Sequence, residues 1–163
     1  MEQHLVRYVQ HVRRELLRAT DGVLADDLER SHHGVNSVAW MVGHLAAQEQ
    51  AYWLETRGTV LYRTLTGYRR AVPQRMDDAQ TLLAQWREVT SAADVWLTGL
   101  SEDDLRRRLP LPGAVVVPEN VGSLLTRVIG HYYLHIGQIT VVRKMLGYPV
   151  PSFVGSQEGA YYE

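Results

Sequence analysis

The chain has 163 residues, a formal net charge of −1, 45% hydrophobic and 21% charged residues, a balance that predicts a folded chain with enough length for one substantial core. Near-neutral charge speaks against a nucleic-acid partner, whose binding rests on neutralising phosphates with clustered Lys and Arg. The absence of cysteine excludes disulfides, thiolate ligands and a cysteine nucleophile. No apolar run reaches membrane-spanning length and Met1-Glu2-Gln3-His4 opens no apolar leader, so a single cytoplasmic domain over 1–163 without a membrane partner is expected.

The first helix is expected from Glu2 to Thr20, with Leu5, Val9, Val12, Leu16 and Ala19 as its apolar stripe and Asp21-Gly22 as its stop. His4, Tyr8 and His11 fall beside that stripe, at a boundary between core and solvent. Ala25-Asp26-Asp27-Leu28 reads as a short helical turn and Ser31-His32-His33-Gly34 as a loop; adjacent histidines there cannot share a helical face. A second helix starts at Asn36-Ser37, either able to cap it, and ends at Arg57 before Gly58. His44 occupies an inward position on it, with Gly43 leaving room for a close approach and Trp40 and Gln48 one turn to either side.

Residues 58–76 make a connection long enough to cross a bundle. Its Arg63, Arg69 and Arg70, set among tyrosines, are candidates for holding an anionic group. A third helix starts near Met76-Asp77-Asp78 and carries Leu82, Leu83, Trp86, Val89, Ala93, Trp96, Leu97 and Leu100. Ser101 to Asp104 has the spacing of a capping box, and Val115-Val116-Val117 is a candidate extended piece between prolines. The fourth helix runs from an Asn120 cap to Leu146, with Gly147 as its stop. Residues 149–163 form an irregular tail for which Phe153, Tyr161 or Tyr162 are candidate anchors. Four amphipathic helices with little else define an all-α fold, a four-helix bundle with a long crossover between helices 2 and 3.

The chemistry sits in the fourth helix. His131 and His135 are four apart on the stripe 124, 128, 131, 135, 139, 142, 146, so both imidazoles point toward a core in which an unpaired polar group is costly. One solution is a metal ion held by His131, His135 and His44, three protein ligands with a position left open, as in catalytic sites. Gln138 and Gln48 are candidate outer partners of the ligands and Trp40 a candidate wall of the cavity. The competing solution is a pair of boundary histidines bonded to water or backbone. All-imidazole ligation predicts metal release below about pH 6.

Val38-Ala39-Trp40-Met41-Val42-Gly43-His44-Leu45, followed after a further helix by His131-x-x-x-His135-Ile136-Gly137-Gln138-Ile139, resembles the DinB-like (DinB/YfiT) superfamily over most of the chain. The resemblance implies a four-helix bundle, a three-histidine site for a divalent metal (zinc or nickel) at His44, His131 and His135, and a homodimer. It further implies a metal-dependent enzyme of small thiols, an S-transferase using mycothiol or bacillithiol, with a low-molecular-weight thiol as co-substrate beside a small-molecule electrophile. A metal-dependent hydrolase and a non-enzymatic metal- or ligand-binding bundle are the alternative readings. No residue is assigned as catalytic.

Overall fold

A computed structural model describes residues 3–70, 77–110, 118–152 and 157–162. The expected Val115–Val117 extended piece and the Phe153 anchor lie outside these. Among the described residues the elements are helical, with two isolated bridges, His32 to Val35 and Arg108 to Asn120, and no strand.

Helix α1 spans His4–Thr20. Its buried stripe is Val6, Val9, Val12, Leu16 and Ala19; Leu5, expected in that stripe, is half-buried at its edge. A short helix α2, Ala25–Glu29, follows. Helix α3, Val38–Glu49, is capped by Ser37, whose side chain accepts from the Trp40 amide at 3.1 Å. The helical path continues to Arg57 as expected, but as a π segment, Gln50–Leu54, and a 3₁₀ turn, Glu55–Arg57. Gly58 ends it with φ +79°, a left-handed conformation that glycine adopts without strain.

The crossover then runs back along α3. Buried Gln50 stitches it down: its Oε1 accepts from the amides of Leu61 and Tyr62 at 3.1 and 2.9 Å, and its Nε2 donates to the Tyr62 carbonyl at 3.0 Å. A 3₁₀ helix, Arg63–Tyr68, brings the chain back to the level of Gly43. Helix α4, Ala79–Leu97, is capped by Asp78 through the Thr81 amide. Helix α5, Glu102–Leu105, carries the reciprocal Ser101/Asp104 capping box. Helix α6, Val121–Leu146, starts on the Asn120 side chain and ends at Gly147 with φ +77°.

The long helices associate as two pairs, α1 with α6 and α3 with α4, joined across a narrower α3–α6 contact. Direction follows from the contacts. Tyr8 meets Tyr133 and the Ala19 carbonyl meets Arg143, so α1 and α6 are parallel. Gly43 faces Leu82 and Trp53 faces Trp96, so α3 and α4 are parallel, while Gln48 meeting His131 and Trp40 meeting His135 make α3 and α6 antiparallel. The bundle is up-down-down-up, and the long crossover is what permits two successive parallel helices. No helix among the described residues is long and apolar enough to cross a membrane.

Along the tail, Arg7, Arg14 and Arg18 of α1 donate to the carbonyls of Tyr161, Glu158 and Ser152. Ala160 is buried there, whereas Tyr161 and Tyr162 are exposed. Main-chain carbonyls therefore carry most of the anchoring, and of the expected tyrosines Tyr162 adds an edge-on contact to the His4 ring at 5.0 Å.

Candidate metal centre

His44 comes from α3 and His131 and His135 from α6, across the narrow contact between the helix pairs. Their Nε2 atoms converge: His131 is 3.2 Å from His44 and 3.0 Å from His135. Each Nδ1 faces an oxygen. His44 Nδ1 donates to the Tyr68 carbonyl at 2.6 Å, His131 Nδ1 to Gln48 Oε1 at 2.8 Å, and His135 Nδ1 to Gln138 Oε1 at 2.7 Å. A carbonyl oxygen cannot donate, so at His44 the proton is on Nδ1; the orientation of the two Gln amides assigns the same tautomer to the other two rings.

The Nε2 lone pair of His131 then lies at hydrogen-bond distance from those of His44 and His135 with no proton between them, and all three lie within 4.8 Å of one another, a repulsive arrangement that a cation among them reverses. The spacing fits one ion. Nitrogens about 2.1 Å from a metal stand about 3.0 Å apart in octahedral and about 3.4 Å apart in tetrahedral coordination. Together these three residues form a group capable of holding a metal ion, with no carboxylate member among the described residues. Ligating imidazoles whose other nitrogen is held by an oxygen are the usual outer-sphere arrangement of such sites.

The local structure explains the placement. Gly43 gives Tyr68 its seat: a Cβ there would lie 2.7 and 2.9 Å from two carbons of the Tyr68 ring. The close approach expected at Gly43 is made by that ring, and its carbonyl then reaches His44. The Tyr68 hydroxyl accepts from the Asp77 amide at 2.9 Å, which fixes the far side of the crossover as well. Trp40 stacks on His44, ring centroids 4.7 Å apart and 11° from parallel, and meets His135 edge-on at 6.2 Å.

Electrostatics favour the neutral, ligating form. Burial, then the neighbouring histidines and Arg127, push His131 down to about 4. Burial and the charge of His44 push His135 to about 4 against the opposing bond from Gln138. Arg127 lies one turn before His131 and is ion-paired with Glu119. Its spacing of four residues from His131 is readable in the sequence, but nothing local marks the pairing with Glu119.

The remaining candidates are placed elsewhere. Arg69 is engaged by Glu55, and Arg63 and Arg70 are exposed. His32 is a loop residue near the Asp27 carbonyl and His33 is exposed. His11, expected at the solvent boundary, is instead 3% exposed between α1 and its neighbours. Glu49, next to Gln48, turns away from the histidines into the core, where Arg13 grips it with Nε and Nη2 at 2.9 and 2.7 Å.

A family model described as the DinB superfamily matches residues 8–139. A comparison with curated proteins found no match. The matched stretch takes in all three histidines, the whole of α3 and most of α6, and with the helical fold it places the chain in the DinB superfamily.

Proposed function

We propose that the chain is a divalent-metal-dependent enzyme that joins a small-molecule thiol through its sulfur to an electrophilic carbon, the thiol giving up its proton and the electrophile its leaving group, with His44, His131 and His135 holding zinc or nickel. The observation that carries this reading is the donor set. Three neutral imidazoles and no carboxylate leave the double positive charge of the ion uncompensated, so the open position favours an anionic ligand. A bound divalent ion supplies Lewis acidity, lowering the pKa of a thiol or water at that position. The thiol comes from outside the chain, because no cysteine is present.

The chain's own residues do the rest. Tyr68, Gln48 and Gln138 hold the three rings in the ligating tautomer. Trp40 closes one side of His44 and keeps water from that face. Glu49 is committed to Arg13 inside the core and offers no general base for hydrolysis.

The test is purified untagged protein with added zinc or nickel, a small thiol and chlorodinitrobenzene or monobromobimane. Metal-dependent loss of thiol that disappears in His131→Ala is expected. Cleavage of an ester or amide without thiol points to the hydrolase instead. Stabilisation by metal with no turnover of either kind leaves a binding protein.

A further inference from the structure

Behind the histidines lies a buried polar group to which every long helix contributes. Arg13 of α1 holds Glu49 of α3, and its Nη1 reaches Asp94 of α4 at 2.6 Å. The Tyr132 hydroxyl of α6 donates to Glu49 Oε1 at 2.8 Å and accepts from Trp86 Nε1 of α4 at 2.8 Å. Glu49 and Tyr132 have no exposure, and Arg13 and Trp86 almost none. Replacing such a charge pair by apolar side chains is often neutral or stabilising, so the group calls for a role besides stability.

We propose that the Tyr132–Glu49 hydrogen bond is a positioning element for the metal centre, fixing α6 on α3 so that the His131 and His135 rings meet His44. The ligands straddle the two helix pairs, and the α3–α6 contact between the pairs is narrow. Two rungs cross it on consecutive residues: Gln48 to His131 and Glu49 to Tyr132. Consecutive helical residues point about 100° apart, from 3.6 residues per turn. One rung alone leaves α6 free to roll about it; two at that angle fix both rotation and slide. The proposal rests on the reading of the three histidines as metal ligands.

The test compares Tyr132→Phe, Glu49→Gln and, as a control, Val89→Ala, a core residue of α4 outside the group. Binding of Co(II) is read by affinity and visible spectrum, stability by urea denaturation, and the metal-free His131 Nδ1–H by its downfield proton resonance. Tyr132→Phe is expected to bind Co(II) about tenfold more weakly, the lower end for outer partners, with an altered spectrum and loss of the Nδ1–H resonance. Glu49→Gln keeps an acceptor for Tyr132 and is expected to lose stability while retaining affinity and spectrum, as is Val89→Ala. Wild-type affinity, spectrum and resonance in Tyr132→Phe overturn the proposal. So does an altered spectrum in Glu49→Gln, which also decides the matter if Tyr132→Phe does not fold. If the wild type takes up no metal, the ligand reading falls, and the resonance decides the positioning claim by itself.

Discussion

A single carbon added at Gly43 is expected to disable the candidate metal centre from outside it. Gly43→Ala collides with the Tyr68 ring at 2.7 and 2.9 Å, so the ring moves and the carbonyl that holds His44 Nδ1 moves with it. Losing an outer partner of this kind costs about 10- to 100-fold in metal affinity, measurable by competition titration with a zinc chelator. Gly137→Ala on α6, where nothing lies within 4 Å of the new carbon, is the control; at an exposed helical site it should raise stability by about 0.4–1 kcal/mol and leave affinity unchanged. The contrast shows which residues a sequence displays. His44, His131 and His135 are found from helical spacing, because imidazoles on an apolar stripe violate the pattern around them. Tyr68 is not found, because what it gives His44 is a main-chain oxygen, which every residue possesses, from 24 positions away. Gly43 stands between these cases: its missing side chain announces a close approach without naming the neighbour.

At the scale of helices, the ends are legible and the joints between them are not. Asn120, Ser101 with Asp104, and Gly147 act through neighbours a few residues away, so local spacing reveals them. The π segment at Gln50–Leu54 begins at Gln50, whose amide binds the crossover at Leu61 and Tyr62, a long-range contact that nothing local marks. Arg13 does show in the sequence, as a charge set between Val9, Val12 and Leu16. Its burial is offset by Glu49, whose charge and hydrogen bonds raise the guanidinium pKa despite the desolvation that lowers it. Arg13→Ala strands the Glu49 carboxylate in the core and is expected to cost about 3–5 kcal/mol in urea denaturation. Arg13→Met with Glu49→Leu, which removes both charges, is expected to recover most of that loss. A double replacement as unstable as Arg13→Ala would show that the cost lies in lost packing and not in an unpaired charge.

For the molecule as a whole, the up-down-down-up order follows from one long connection, whereas the pairing of α1 with α6 and α3 with α4 does not, since each apolar stripe is compatible with several partners. That pairing puts two imidazoles of α6 at an interface, and their burial couples the fold to pH. His131 and His135 titrate near 4 in the folded chain and near 6.5 when unfolded. Between those values the unfolded chain binds more protons, so the stability of the metal-free protein rises with pH. The contribution is complete above about pH 6.5 and lost as pH falls toward 4; buried His11, shifted the same way by desolvation, adds to it. Carboxylates held down by capping bonds, Asp78 and Asp104, act in the same direction but below their ordinary value of 3.8, outside this window. Urea denaturation of the metal-free chain from pH 7 to 4.5 is therefore expected to show a steady loss of stability, with a smaller slope in His131→Gln/His135→Gln, where His11 alone of the three remains. Proton competition from His131 and His135 also sets in near pH 4, lower than the release near pH 6 expected of free imidazoles. A slope of opposite sign would mean that these rings are charged in the folded protein, and rings that carry protons on both nitrogens cannot bind a metal ion.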